Sequence, residues 1–443
     1  MSADTRSSIL NRLPWFVELV DYLKTHEDDL WGWFSTEVDQ EKQAEAVRLE
    51  VLRTTYRIER ESQVELYETA DAVAATLGVD APLTIYQAQQ APELNAALKF
   101  VPGEVHIVLH GPLLEILDAS ELTALFGHEL SHYVLWTEWD EEILIAHEIL
   151  LGMLNDPRGD EVHTETYRRL RLFSEVFCDR GSHIACGNLE AAVSALVKMH
   201  TGLKEVDAAG YLRQAEEAVS GSTDNTEADE DFVTEGFSHP EAFLRVRALH
   251  LWSAAAQSAA SEDTSPKDDG PRGHSDEPSD ATGAERTIRR MIEGPLSLQQ
   301  IDLPGQRHLT AVTRHVIAEI VQPAWMRTEL VMSHARLFFP DIERGAEVGG
   351  AESVGGPVRD ITSIVSEGDE TLARYVGSLL LDFVTADRDI QEAALAAAIQ
   401  QADVWGIGDQ FAEFAMKELK LRKKQFQQIR SNAESLIAEA STP

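Results

Sequence analysis

The clearest chemistry in this chain lies in the run His128-Glu129-Leu130-Ser131-His132. Histidines four apart project from one face of an α-helix, one turn above the other. Two imidazoles so placed can share one tetrahedral Zn2+, with a third protein ligand still to be found and a fourth position for water. Glu129 follows the first histidine and falls where its carboxylate reaches such a water rather than the ion. In this pattern that carboxylate is the general base of peptide hydrolysis. The flanking sequence predicts the helix the motif requires. Asp118 and Glu121 are spaced as a capping box, and Leu122, Leu125, Phe126, Leu130 and Tyr133 recur at helical spacing. The alternative is a chance match, since the chain holds 15 histidines and 76 acidic residues.

A second pair, Glu175 and Asp179, is also four apart, on a helix predicted to start near Thr164 and run through Arg180. Gly181 weakens that helix without necessarily ending it. The spacing suits Glu175 as the third zinc ligand. Asp179 is suited to accept a hydrogen bond from the far ring nitrogen of a ligand histidine. Leu170, Leu172, Phe173, Val176 and Phe177 surround the pair, and carboxylates in so apolar a helix need a partner. A solvated acidic pair on a helix surface is the alternative.

Around these residues the pattern is mainly helical with a small β-sheet, an α+β class. Leu10 to Leu77 reads as helix: Trp15, Phe16, Leu19, Val20 and Leu23 recur at helical spacing, and Gln40 to Ala75 contains neither Gly nor Pro. The cluster Trp31-Gly32-Trp33-Phe34 reads as core. Leu83–Tyr86 and Val105–Leu109 read as strands, with Pro92–Ala97 a turn or loop between them. A strand before such a helix, if it is an edge, can hold an extended peptide by backbone pairing. Trp136 to Asp156 reads as helix, and Gly221 to Asp231 as a flexible acidic loop. Ser258 to Gly283, rich in Ser, Asp, Pro and Gly, reads as a disordered linker. The expected organisation is therefore a helical N-terminal region (1–80), a catalytic domain (81–257), a linker (258–284) and a helical C-terminal domain (285–443). The acids Asp382, Asp387, Asp389 and Glu392 read as a solvated turn, since their spacing is not that of a calcium-binding loop.

Composition narrows the partners. With 38 Lys+Arg against 76 Asp+Glu, the chain carries a formal net charge of −38. Such a surface repels phosphate, which argues against nucleic acid and anionic membrane. Two cysteines, Cys178 and Cys186, fit a reducing compartment. No apolar leader stands at the N-terminus, and no stretch reaches the ~18 apolar residues of a spanning helix. A soluble, cytoplasmic protein is expected.

Several of these pieces, in order, resemble the HtpX-like and CAAX-prenyl-protease-type zinc metallopeptidases. They are Asn95-Ala96, the strand Val105–Leu109 with Leu113-Leu114, His128-Glu129-Leu130-Ser131-His132, Glu175-Val176-Phe177-Cys178-Asp179, and His239-Pro240 with Arg245 five residues after the proline. The resemblance spans roughly Leu83 to Leu249. It implies a zincin-type domain binding one Zn2+ per chain through His128, His132 and Glu175. It implies Glu129 as the base, Asp179 behind the ligands, His239 near the metal to stabilise the oxyanion, and Arg245 supporting that region. For His239 a satisfied core histidine is the alternative. Many members are membrane-embedded, so a chain without spanning segments resembles a soluble branch. The segment Asp387 to Glu392 has a weaker similarity to TerB-like helical domains. Two functions follow: a zinc-dependent endopeptidase acting on peptides or unfolded proteins, or a non-catalytic zinc-binding scaffold. Either could engage a protein partner through the C-terminal helical domain.

Overall fold

The computed structural model describes residues 10–36, 40–89, 93–155, 161–222, 242–263, 280–293, 302–340, 342 and 370–442. The chain divides into two units, Met1–Gly294 and Pro295–Pro443. The first opens with α1 (Pro14–His26), α2 (Asp28–Thr36), α3 (Gln40–Thr54), β1 (Thr55–Arg57) and α4 (Val64–Leu77). It continues with β2 (Leu83–Ala88), β3 (Asn95–Val101), β4 (Glu104–His110), α5 (Leu113–Ile116) and α6 (Ala119–Thr137). It closes with α7 (Glu142–Asn155), α8 (Glu161–Cys186), α9 (Leu189–Thr201), α10 (Ala208–Ser222), α11 (Ala242–Asp263) and α12 (Asp280–Glu293). Among the described residues no helix is long and apolar enough to cross a membrane.

The four strands lie in the order β1-β2-β4-β3. β2 and β4 are parallel, with Ile85 opposite Ile107, and the outer strands pair antiparallel. The inner faces of β2 and β4 bury Ile85, Val105, Ile107 and Leu109. Two strands depart from the sequence expectation. β1 interrupts what reads as continuous helix, because Thr55 and Tyr56 tolerate extended backbone and find an edge at β2. β3 occupies part of the expected Pro92–Ala97 loop. Its Asn-Ala-Ala-Leu start lacks β-branched residues, and pairing with β4 from Asn95↔His110 to Val101↔Glu104 overrides that weak propensity. Pro102-Gly103 turns the hairpin, with Gly103 at φ 76° as the second turn residue requires.

The helix carrying the motif begins as expected. Asp118 accepts from the Ser120 and Glu121 backbone N–H groups, and Glu121 accepts from the N–H of Asp118. Glu121 is also held by Ser194 (2.6 Å) and Lys198 (2.7 Å) of α9, which ties the start of α6 into the interior. After Thr137 the expected helix to Asp156 breaks: Trp139, Asp140 and Glu141 all adopt left-handed backbone, at φ 51–60°. The break sets Trp139 edge-on against Phe177. At the other end of the unit, α1 packs on α8, with Trp15 stacked on Phe173 at 4.8 Å and Phe16 edge-on to Phe177. Trp33, expected in the core, is 58% exposed, because α2 presents Phe34 rather than Trp33 to Gly152 of α7.

The boundary between units falls after the expected linker. Residues 264–279 of that linker lie outside the described residues, but α12 belongs to the first unit. Ile288 and Ile292 are buried. Glu285 accepts from both terminal nitrogens of Arg180 (2.7 and 3.0 Å), and Arg289 donates to Glu18 (2.6 and 2.7 Å). The second unit is helical: α13 (Leu303–Ile320), α14 (Glu329–Phe338), α15 (Glu370–Ala386), α16 (Gln391–Val404), α17 (Gly408–Glu418), α18 (Lys423–Ser431) and α19 (Ala433–Ala440). They enclose a core that includes Val316, Val376, Leu380, Phe383, Ile399 and Phe411. Within the acidic turn between α15 and α16, Asp387 accepts from the Asp389 N–H (3.0 Å) and so closes the turn itself.

The crossing of α6 and α8 positions everything that follows. It is made at two glycines. A Cβ on Gly127 would lie 2.7 Å from Ala185 Cβ and 2.9 Å from the Gly181 carbonyl oxygen. A Cβ on Gly181 would lie 1.7 Å from Ser131 Oγ and 2.8 Å from Ser131 Cβ. Neither has positive φ, so each glycine serves close approach, not backbone shape. In an open helix Gly→Ala stabilises by up to ~1 kcal/mol. Here Gly181→Ala should destabilise by about 1–3 kcal/mol, as overpacking does, and Ser131→Ala should recover part of that loss. Urea unfolding of Gly181→Ala, Ser131→Ala and the double variant checks this; a stabilised Gly181→Ala protein would mean the crossing is looser than described.

Candidate metal centre

Gly127 immediately precedes His128, and Gly181 lies two residues beyond Asp179, so the close crossing brings the two motifs face to face. His128 Nε2 lies 3.4 Å from Glu175 Oε2, and His132 Nε2 lies 3.7 Å from Glu175 Oε1. The edges of a tetrahedron around zinc measure about 3.3–3.8 Å, given zinc–ligand bonds of 2.0–2.3 Å. Two imidazole nitrogens and a carboxylate at these separations are a donor set that zinc suits. Cys178, one turn beyond Glu175 on the same face of α8, joins them. Its Sγ and one ring nitrogen each of His128 and His132 lie within 4.8 Å of one another.

A buried charge network holds this set. His128 Nδ1 donates to Asp179 Oδ1 (3.0 Å), which aims Nε2 at the centre of the site. Arg245, from α11, donates through Nε to Asp179 Oδ2 (2.8 Å) and through Nη2 to Oδ1 (2.6 Å). Its Nη1 lies 2.9 Å from Glu175 Oε2. Arg245 is 1% exposed, Asp179 3% and Glu175 6%. Burial disfavours the Asp179 carboxylate, but Arg245 outweighs it and holds the group down at about 2. Burial likewise disfavours His128 as a cation, yet its bonds to Asp179 and Glu175 push it up to about 10. Among the described residues, two carboxylates here face the one guanidinium of Arg245, an arrangement that favours further positive charge at the histidines, such as a divalent cation.

Glu129 is 1% exposed. Its Oε2 accepts from the Leu98 backbone N–H of β3 at 2.8 Å, which fixes the carboxylate beside the edge strand. The bond also shows how that strand faces. The Leu98 N–H points away from β4, so by alternation the backbone groups of Ala96, Leu98 and Phe100 face outward from the sheet.

The structure thus brings together His128, Glu129, His132, Glu175, Asp179 and Arg245. Arg245 lies behind the two carboxylates, against Glu175 and Asp179. His239 lies outside the described residues. Two participants escaped the sequence reading. Cys178 was legible only as a clue to redox environment, although its place three residues after Glu175 puts it on the ligand face. The Leu98 N–H was hidden because the sequence reads no strand between the expected Pro92–Ala97 loop and Val105.

Residues 60–137, from the approach to α4 through the end of α6, match Peptidase family M48. The chain is also similar to the plastoglobule-localized metallopeptidase 48 of Arabidopsis thaliana chloroplasts, 26% identical over 219 residues. That alignment covers 47% of this chain and 62% of the relative. No solved structure matches. These similarities support a metallopeptidase domain of the M48 type in the first unit.

Removing the guanidinium tests the network. Arg245→Leu leaves two buried carboxylates without their counter-charge and should cost about 3–5 kcal/mol in stability. Added zinc should restore part of the loss. An unfolding midpoint equal to wild type, with or without zinc, would remove Arg245 from this role.

Proposed function

We propose that the chain is a zinc-dependent endopeptidase, with His128, His132 and Glu175 holding one Zn2+ and Glu129 acting as the general base. The observation that carries this reading is the convergence of two Nε2 atoms on the Glu175 carboxylate, at 3.4 and 3.7 Å from it, beside a second carboxylate pinned to an edge strand. Zinc, when bound, supplies a Lewis acid that polarises a carbonyl and lowers the pKa of water.

The chain's own residues do the rest. An extended peptide pairs with the outward-facing backbone of β3 on either side of the Leu98 N–H, at Ala96 and Phe100, which carries its scissile bond past Glu129. Glu129 takes the proton of the attacking water and returns it to the leaving amine. The bond from Leu98 keeps its carboxylate oriented, so little reorganisation is needed during the reaction. Asp179 holds His128 in the tautomer that presents Nε2, and Arg245 holds Asp179. His239, on the segment outside the described residues, is assigned to stabilising the oxyanion.

The substrate class is peptide or unfolded protein, and the charge of −38 disfavours nucleic acid. We place the protein in the cytoplasm on its unpaired cysteines; the Arabidopsis relative is, by its name, a plastoglobule protein. A protein partner for the C-terminal helical domain also belongs to the proposal.

Glu129→Gln should retain zinc and fold, because the amide oxygen still accepts from Leu98, while peptide cleavage falls by ~10²–10⁴. Glu175→Ala should instead lose zinc. Metal content and hydrolysis of an unfolded protein, measured together, check both. Near wild-type cleavage by Glu129→Gln would end this mechanism, and full zinc retention by Glu175→Ala would reassign the third ligand.

A further inference from the structure

We propose that Cys178 is itself a ligand, closing the metal site in the resting protein as two histidines, one glutamate and one thiolate. The inference rests on the zinc-site reading above and extends it to regulation.

Four observations support it. Cys178 and Glu175 are three apart on α8, so both face α6 across the glycine crossing. The Cys178 sulfur lies within 4.8 Å of a ring nitrogen of each histidine, and shifts of about an ångström reach the edge of a zinc tetrahedron. The residue is fully buried, and among the described residues its sulfur makes no hydrogen bond. Finally, Glu175 is shared: its Oε2 is 2.9 Å from Arg245 Nη1. A carboxylate divided between a guanidinium and an ion is a weaker donor, and a soft thiolate strengthens the set toward zinc.

On binding, the S–H bond breaks, a sulfur–metal bond forms, and the proton leaves to solvent by way of the adjacent Glu129 carboxylate. No electron is transferred. Four protein ligands leave no position for water, as in closed structural sites; opening the site for catalysis then requires the sulfur to leave. The resting protein is therefore latent, and substrate binding along β3, next to Glu129, is the event placed to displace the thiolate.

The test is X-ray absorption at the zinc edge on the full-length, zinc-loaded chain, with the cobalt-substituted protein measured in parallel. A sulfur shell at about 2.3 Å beside nitrogen and oxygen at about 2.0–2.1 Å is expected, together with a sulfur-to-cobalt charge-transfer band in the near ultraviolet. Both should be lost in Cys178→Ala, while one ion per chain is retained. Because the wild-type spectra stand alone, a variant that fails to fold does not spoil the test. One bound zinc with only nitrogen and oxygen neighbours overturns the thiolate ligand and leaves the zinc-site reading standing. No bound zinc, or zinc retained after His128→Ala and His132→Ala together, overturns both.

Discussion

The site depends on how closely two helices approach. α6 carries the histidines and Glu129, and α8 carries Glu175, Cys178 and Asp179. These side chains converge only if the backbones nearly touch, and the contact is made at two glycines, Gly127 against Ala185 and the Gly181 carbonyl, and Gly181 against Ser131. Each glycine is adjacent to, or two residues from, a residue of the site, so the crossing point and the ligand set are fixed together. Other contacts serve the same crossing. Glu121, Lys198 and Ser194 anchor the start of α6. Trp15, Phe16 and Trp139 pack around Phe173 and Phe177 and hold α8 from its other side.

Approach alone would place like charges together. Glu129, Glu175 and Asp179 are buried within one small region, an arrangement that is unstable without compensation. Arg245 supplies one positive charge from α11, bound to both α8 carboxylates. The remaining demand falls on the histidines, and it draws a proton onto His128 or a cation onto the pair. The same electrostatics therefore stabilise the first unit and favour a cation between α6 and α8. α11 is the distant element in this arrangement: the charge that balances α8 comes from 66 residues along the chain.

Much of this was legible in the sequence because it rests on local rules. Histidine spacing, the capping box at Asp118 and Glu121, and the apolar setting of Glu175 and Asp179 are properties of single helices. The two parallel strands announced themselves through β-branched runs. What was hidden depends on tertiary partners. β3 is a strand because β4 pairs with it, and only then does Leu98 offer its N–H to Glu129. β1 is a strand because β2 has an open edge. Gly181 read as a weak point in a helix, while its use as a contact surface requires knowing what lies opposite. The polar stretch after α11 suggested a domain boundary, yet α12 returns to pair Glu285 with Arg180 and stays with the first unit. Charge partners from distant sequence carry no local signature.

The central claim is that α6 and α8 together enclose one metal ion at the histidine nitrogens and Glu175. Anomalous diffraction from crystals of the zinc-loaded chain, recorded on either side of the zinc edge, tests it most directly. The account predicts a single strong peak per chain, within bonding distance of His128 Nε2, His132 Nε2 and the Glu175 carboxylate. A peak at another cluster of acids, or crystals of stoichiometrically loaded protein with no peak between these helices, would contradict it.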